Sequence, residues 1–155
     1  MKKIDHATAP RGEGTRYPAP YDEPCRQRQW IKLGDAAGLT QFGVNLLTLK
    51  PGVWSSQRHW HSHEDEFVYV LDGEVVLVTD AGEEVLRPGD GAGFPAGDRD
   101  GHCLQNRTSI NARILVIGSR SDADYGEYSD LDMKFLAGRY SGAGGGYVRK
   151  NGDPI

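Results

Sequence analysis

The chain has 155 residues and a formal net charge of −4 at neutral pH, a length that predicts one domain with a real core. With 21 glycines and 8 prolines, it calls for many turns between short elements and disfavours a helix bundle. No lysine or arginine run is long enough to neutralise a phosphate backbone, which excludes nucleic acid as a partner. No apolar stretch approaches the roughly 18 residues of a membrane span, so the expectation is a cytoplasmic protein with no membrane segment.

Residues 1–30 carry Pro10, Pro18, Pro20 and Pro24 without helical or strand periodicity and are read as an extended N-terminal arm. Tyr17, Tyr21 and Trp30 give that arm apolar surface with which to dock, a second subunit included. Cys25 and Cys103 are expected to be free thiols, because a chain with this much core needs no staple.

The central unit spans residues 31–120. From Leu39 to Leu49 the residues alternate, with Phe42, Val44, Leu46 and Thr48 on one face and Asn45, Leu47 and Leu49 on the other, which predicts a strand. Lys50-Pro51-Gly52 ends it. Glu66–Leu71 is a second strand, and Asp72-Gly73 is the dipeptide of a tight hairpin leading into Glu74–Thr79. Asp80-Ala81-Gly82 and Pro88-Gly89-Asp90 turn the chain again, so a meander is expected. His102–Asn106 and Arg113–Ser119 complete at least seven strands at a spacing that suits a barrel or sandwich. Residues 121–155 form a C-terminal extension, expected to pack on or swap with the central unit. Its acidic, tyrosine-bearing stretch reads as surface, Ser141–Gly146 as a flexible linker, and Tyr147–Ile155 as a last edge strand and turn.

The main chemical signal lies between Gly52 and Gly73. Three of the five histidines, His59, His61 and His63, fall within five residues there. Alternate residues of a strand share a face, so His59 and His61 can converge on one spot, and imidazoles at that spacing suit a transition metal. The rival register pairs His61 with His63. Glu66 shares a strand face with Val68 and Val70, where an ionised carboxylate is costly unless it is paired or binds a cation.

These residues resemble a known family. His59-x-His61, four residues, Glu66, six residues and Gly73 match the first motif of the cupin superfamily. Gly89, five residues, Pro95-x-Gly97, His102, three residues and Asn106 match the second. The departures are Gly52, one residue farther from His59 than usual, and a gap of four residues between Gly97 and His102 where two are common. The Tyr-Pro-Ala-Pro arm, residues 38–45 and the tail are similar to small single-domain bacterial cupins of the sugar phosphate isomerase-like type.

The resemblance implies an all-β fold, a single double-stranded β-helix or jelly-roll barrel with its arm and tail. It also implies one divalent metal ion per chain held by His59, His61, Glu66 and His102, with zinc or manganese favoured and iron or nickel compatible. Three imidazoles and one carboxylate leave coordination positions open, as in a catalytic site. The implied substrate is a small oxygen-rich metabolite, and the implied reaction is a sugar (phosphate) isomerase or related lyase step through a metal-stabilised enediolate. His63 and Glu64 are the candidate bases. Arg58, Arg99 and Arg107 are the cations nearest the ligands in sequence, each read by default as an ordinary surface residue. The alternatives are an iron-dependent dioxygenase and a non-enzymatic metabolite-binding cupin, since one fold hosts many chemistries. A homodimer is expected, with the arm covering an exposed sheet edge.

Overall fold

Period-two alternation of apolar residues builds the strands that carry the core. The computed structural model describes residues 3–142 and 144–155. Met1, Lys2 and Ala143, the last inside the expected 141–146 linker, lie outside the described residues. In chain order the strands are β1 (Arg11–Glu13), β2 (Gln29–Lys32), β3 (Phe42–Leu49), β4 (Glu66–Asp72), β5 (Val75–Thr79), β6 (Gly82–Leu86) and β7 (Gly91–Phe94). They continue with β8 (Cys103–Gln105), β9 (Ala112–Ser119), β10 (Gly126–Glu127), β11 (Lys134–Phe135) and β12 (Tyr147–Val148). A single helical turn, α1 (Leu33–Ala36), links β2 to β3.

The strands pair antiparallel into a six-stranded sheet ordered β1-β2-β3-β9-β4-β7, a three-stranded sheet β6-β5-β8 and a three-stranded sheet β10-β11-β12. Leu47, Leu49, Val68, Val70 and Ile114 of the large sheet pack on Val75, Leu77, Leu86 and Leu104 of the first small sheet to form the main core. A second cluster joins Tyr128, Met133 and Phe135 of the tail to Tyr17 and Tyr21 of the arm. The arm therefore docks on its own chain, with Tyr17 edge-on to Tyr128 at 5.4 Å between ring centroids. Cys25 and Cys103 are both buried free thiols.

The all-β class is observed, but the closed barrel is not, because among the described residues no sheet closes on itself. The large sheet ends at β1 and β7 and the first small sheet at β6 and β8. The histidine stretch meets its neighbours through isolated bridges, Trp54 to Gln105, His59 to His102 and His59 to Tyr128, and through scattered backbone bonds in place of a ladder. The physical reason is local. Lys50-Pro51-Gly52 ends β3 as expected, but the histidine-bearing stretch 53–65, expected as a strand, runs mostly as bends and isolated bridges, and residues 95–101 contain no strand, so no continuous hydrogen-bond ladder can travel round.

The meander is corrected at the same time. Strands β5 and β6 form the hairpin expected at Asp80–Gly82, whereas β4 and β5 lie in different sheets. Gly73 carries the chain across. Its φ is +75°, and a Cβ there would stand 2.6 Å from the carbonyl oxygen of Asn111, a close approach that only glycine permits. The crossing leaves β4 free to pair with β7 and β9, which places Glu66 in the interior of the large sheet.

The outer face of the large sheet is also apolar. Phe67 lies opposite Ile117 and Tyr69 opposite Leu115, while Ile117 and Leu115 in turn meet Val44 and Leu46. Phe67 is 43% exposed and Leu71 43%. Among the described residues, no helix is long and apolar enough to cross a membrane.

Candidate metal centre

The histidine stretch is held between two neighbours by backbone bonds. On one side His59 and His102 exchange N–H to carbonyl bonds of 3.2 and 2.9 Å. On the other, the tail runs antiparallel: Ser129 N–H donates to Arg58 at 2.9 Å, Trp60 N–H to Glu127 at 3.3 Å and Ser62 N–H to Tyr125 at 2.8 Å. Glu66 opens β4 opposite Phe94 and Gly118, so three separate stretches of chain meet at one point.

The ring nitrogens are oriented by their outer partners. Nδ1 of His59 lies 2.9 Å from the Gln57 carbonyl, which can only accept, so that nitrogen carries the proton. Nδ1 of His61 lies 2.8 Å from a carboxylate oxygen of Asp124 and is protonated for the same reason. The two rings turn their Nε2 atoms towards each other, 3.1 Å apart. Two lone pairs at that distance repel unless a proton or a metal cation lies between them.

Burial, reinforced by the neighbouring His102 and His61 rings, pushes His59 down to about 3. The ring is therefore neutral at physiological pH. Burial alone would favour the neutral acid of Glu66, but the hydrogen bond from His102 and the adjacent imidazoles outweigh it and hold the carboxyl down to about 2. One Glu66 oxygen is 3.0 Å from Nε2 of His102 and 3.8 Å from Nε2 of His61. Ligand atoms of His59, His61 and Glu66 all lie within 4.8 Å of one another. His102 joins this group through Glu66, with its ring 5.0 Å from that of His59 and stacked on Phe94 at 3.5 Å. A donor set of imidazoles and one carboxylate facing a common point fits a divalent metal.

A second group lies behind the first. Ligand atoms of His61, Glu64 and Asp124 also fall within 4.8 Å of one another, but a cation already sits on the carboxylates: Arg139 donates to Glu64 at 2.8 Å and to Asp124 at 2.6 Å. Asp124 is fully buried. Burial opposes its charge, yet the bonds from His61 and the His63 backbone, with the Arg139 guanidinium, keep its carboxyl below the usual range. This corrects the surface reading of the tail, from which Asp124, Tyr128 and Arg139 all reach the site. Glu64 is buried and also accepts from Ser121 N–H at 2.9 Å. His63 is exposed, beside the Ser62 hydroxyl at 2.8 Å.

The cluster opens into a cavity of about 950 Å³ that includes His59, His61, Glu64, Glu66, His102 and Arg139 in its walls. His63 is not among its lining residues. Arg58 is paired with Asp80 and Asp130, Arg107 with Glu83, and Arg99 lies over the Trp60 ring. All three stand outside the cavity.

An all-β chain of paired antiparallel sheets, with imidazoles and a carboxylate gathered at an open hollow, defines a metal-binding cupin-type protein. Comparison supplies the family: residues 45–118 match the Cupin domain family. The chain is 44% identical to a sugar phosphate isomerase of the cupin superfamily from Silicibacter pomeroyi, whose crystal structure superposes with a TM-score of 0.94 over 99% of this chain and 96% of that one. The protein belongs to the cupin superfamily. A candidate sugar phosphate isomerase from Acidithiobacillus ferrooxidans is 30% identical, with a TM-score of 0.74 over 83% of this chain and 80% of that one. The polyketide cyclase RemF from Streptomyces resistomycificus is 25% identical, with a TM-score of 0.60 over 77% and 79% of the respective chains.

Proposed function

We propose that the protein is a metal-dependent sugar phosphate isomerase in which His59, His61, Glu66 and His102 hold zinc or manganese. The observation that carries this reading is that the four side chains open together into one cavity of about 950 Å³, within the size range of small-molecule sites. The likeness to the Silicibacter pomeroyi isomerase over 99% of this chain supports it.

A bound divalent cation supplies Lewis-acid polarisation of a substrate carbonyl and its neighbouring hydroxyl. The protein's own residues do the rest. Asp124 fixes the tautomer of His61 and Gln57 that of His59, so both rings keep Nε2 free for ligation. Phe94 holds His102 flat by stacking. Glu64 lines the cavity and is the base that moves the proton between adjacent carbons, with Ser121 and Arg139 orienting its carboxylate. His63 carries no step in this reading. The protein works as a homodimer in the cytoplasm, with the apolar outer face of the large sheet against a second copy.

The test is exchange of substrate hydrogen. Manganese- or zinc-loaded protein incubated with aldose phosphates in degassed deuterated buffer is expected to introduce deuterium at the carbon beside the carbonyl and to interconvert aldose and ketose, both visible by NMR. Turnover that consumes dioxygen and requires iron would instead identify a dioxygenase. Absence of exchange across a panel of three- to six-carbon sugar phosphates would overturn the isomerase reading.

A further inference from the structure

The cavity that contains the histidine cluster has a second, cationic wall built by the arm and β2. Five basic side chains line the cavity: Arg16, Arg28, Lys32, Arg120 and Arg139. Three have carboxylates within salt-bridge distance: Arg139 with Glu64 and Asp124, Arg120 with Asp35 at 2.5 Å, and Lys32 with Asp35 at 3.7 Å. Arg16 and Arg28 have none among the described residues.

Arg28 is the more telling of the two. It is half-buried, and its guanidinium is held by neutral oxygens alone, the Gly14 carbonyl at 3.0 Å and the Ser55 carbonyl. Those bonds use two of its five N–H groups and leave its charge unmatched, in a setting where an unpaired charge is costly. Glu13, on the same wall, does not match it, because Gln29 and Lys50 bind its carboxylate at 2.9 and 3.1 Å.

We propose that Arg28, assisted by Arg16, forms an anion subsite that takes the phosphate of a phosphorylated sugar whose carbonyl end reaches the His59, His61, Glu66 and His102 cluster. This rests on the isomerase reading above and adds where the phosphate goes. The reach is suitable. Ser55, which anchors Arg28, is four residues from His59, at most roughly 13 Å along a fully extended strand and less in a segment of bends. Arginine is the natural partner, since its planar fork matches phosphate oxygens in pairs.

Calorimetric titration of inorganic phosphate, ribose 5-phosphate and free ribose into metal-loaded wild type, Arg28→Gln, Arg28→Lys, Arg16→Gln and Arg107→Gln tests the proposal. The series is repeated after metal removal, so that phosphate held by the metal is not counted. Phosphate and ribose 5-phosphate are expected to bind wild type with and without metal, and more tightly than ribose. Arg28→Gln should weaken both about 10-fold or more, Arg28→Lys less and Arg16→Gln a few-fold, with Arg107→Gln unchanged. Arg16 makes no structural bond among the described residues, so its variant reads the subsite even if Arg28→Gln lowers the melting temperature. Phosphate binding that vanishes with the metal, or that ignores both Arg28→Gln and Arg16→Gln, overturns the subsite. Turnover of ribose 5-phosphate insensitive to Arg28 would sink the subsite and leave the isomerase reading standing. Phosphate held at Arg28 in a protein that exchanges no sugar hydrogen would do the reverse.

Discussion

At the scale of single residues, the site depends on groups behind the imidazoles, the Gln57 carbonyl and the Asp124 carboxylate, that orient the His59 and His61 rings. Removing His61 deletes a proposed ligand and one of the bonds to Asp124, so His61→Ala is expected to purify without metal, whereas His63→Ala keeps it; elemental analysis of the two decides between the registers His59/His61 and His61/His63. Asp124→Asn preserves shape but loses the charge that holds the His61 tautomer, and metal affinity should fall about 10–100-fold, read by competition with a chromophoric chelator. An unchanged affinity would show that Asp124 serves only the fold. The four proposed ligands were legible in the sequence because they sit at fixed spacings within two short motifs. Asp124 and Arg139 were not, because they bind partners 63 and 75 residues away and look in sequence like any acidic or basic residue of a polar tail. Arg28 was equally silent, since what distinguishes it is the lack of a carboxylate nearby, which is a fact of three-dimensional arrangement.

At the scale of elements, turn chemistry was readable and pairing was not. Gly73 bends the chain where a turn was expected, but it makes a crossing and not the expected hairpin, because the apolar faces of β4 and β5 belong to different layers of the core. The tail's short strand beside the histidine stretch has no strong strand pattern of its own. It is admitted by Gly126, where a Cβ would fall within 1.9 Å of the Trp60 carbonyl oxygen. Gly126→Ala must therefore push the tail off the histidine stretch, destabilising the protein by about 3 kcal/mol and loosening the metal along with it. Gly52→Ala is the comparison: its φ is +80° with nothing within 4 Å of the added Cβ, so only backbone strain of about 1 kcal/mol is expected and metal affinity is unchanged. Thermal melts with and without metal separate the two. Equal losses would show that the tail does not brace the site.

At the scale of the whole molecule, the arm changes where a partner can bind. The expected dimer had the arm covering a sheet edge, but β1 already pairs with β2 of its own chain, and what remains of that edge is three residues long. The large apolar surface left open is instead the outer face of the six-stranded sheet, where Phe67, Tyr69 and Leu71 of β4 alternate with the buried Val68 and Val70. A sheet with one face on the core and the other in water normally carries polar residues outward, so this doubly apolar pattern is the signature of a face covered by something else. In the proposed homodimer a second copy would cover it symmetrically, with the same patch on both sides. Light scattering at tens of micromolar should therefore report a mass of roughly twice 17.0 kDa. Phe67→Asp combined with Leu115→Asp places charges at the centre of the patch, where burying them on association is prohibitive, and should give a monomer. Because Phe67 and Leu115 point away from the layer that holds Glu66, Val68 and Ile114, that monomer is expected to keep its full complement of metal. A wild-type monomer at these concentrations, or a double variant that stays dimeric, would rule out the sheet face as the interface.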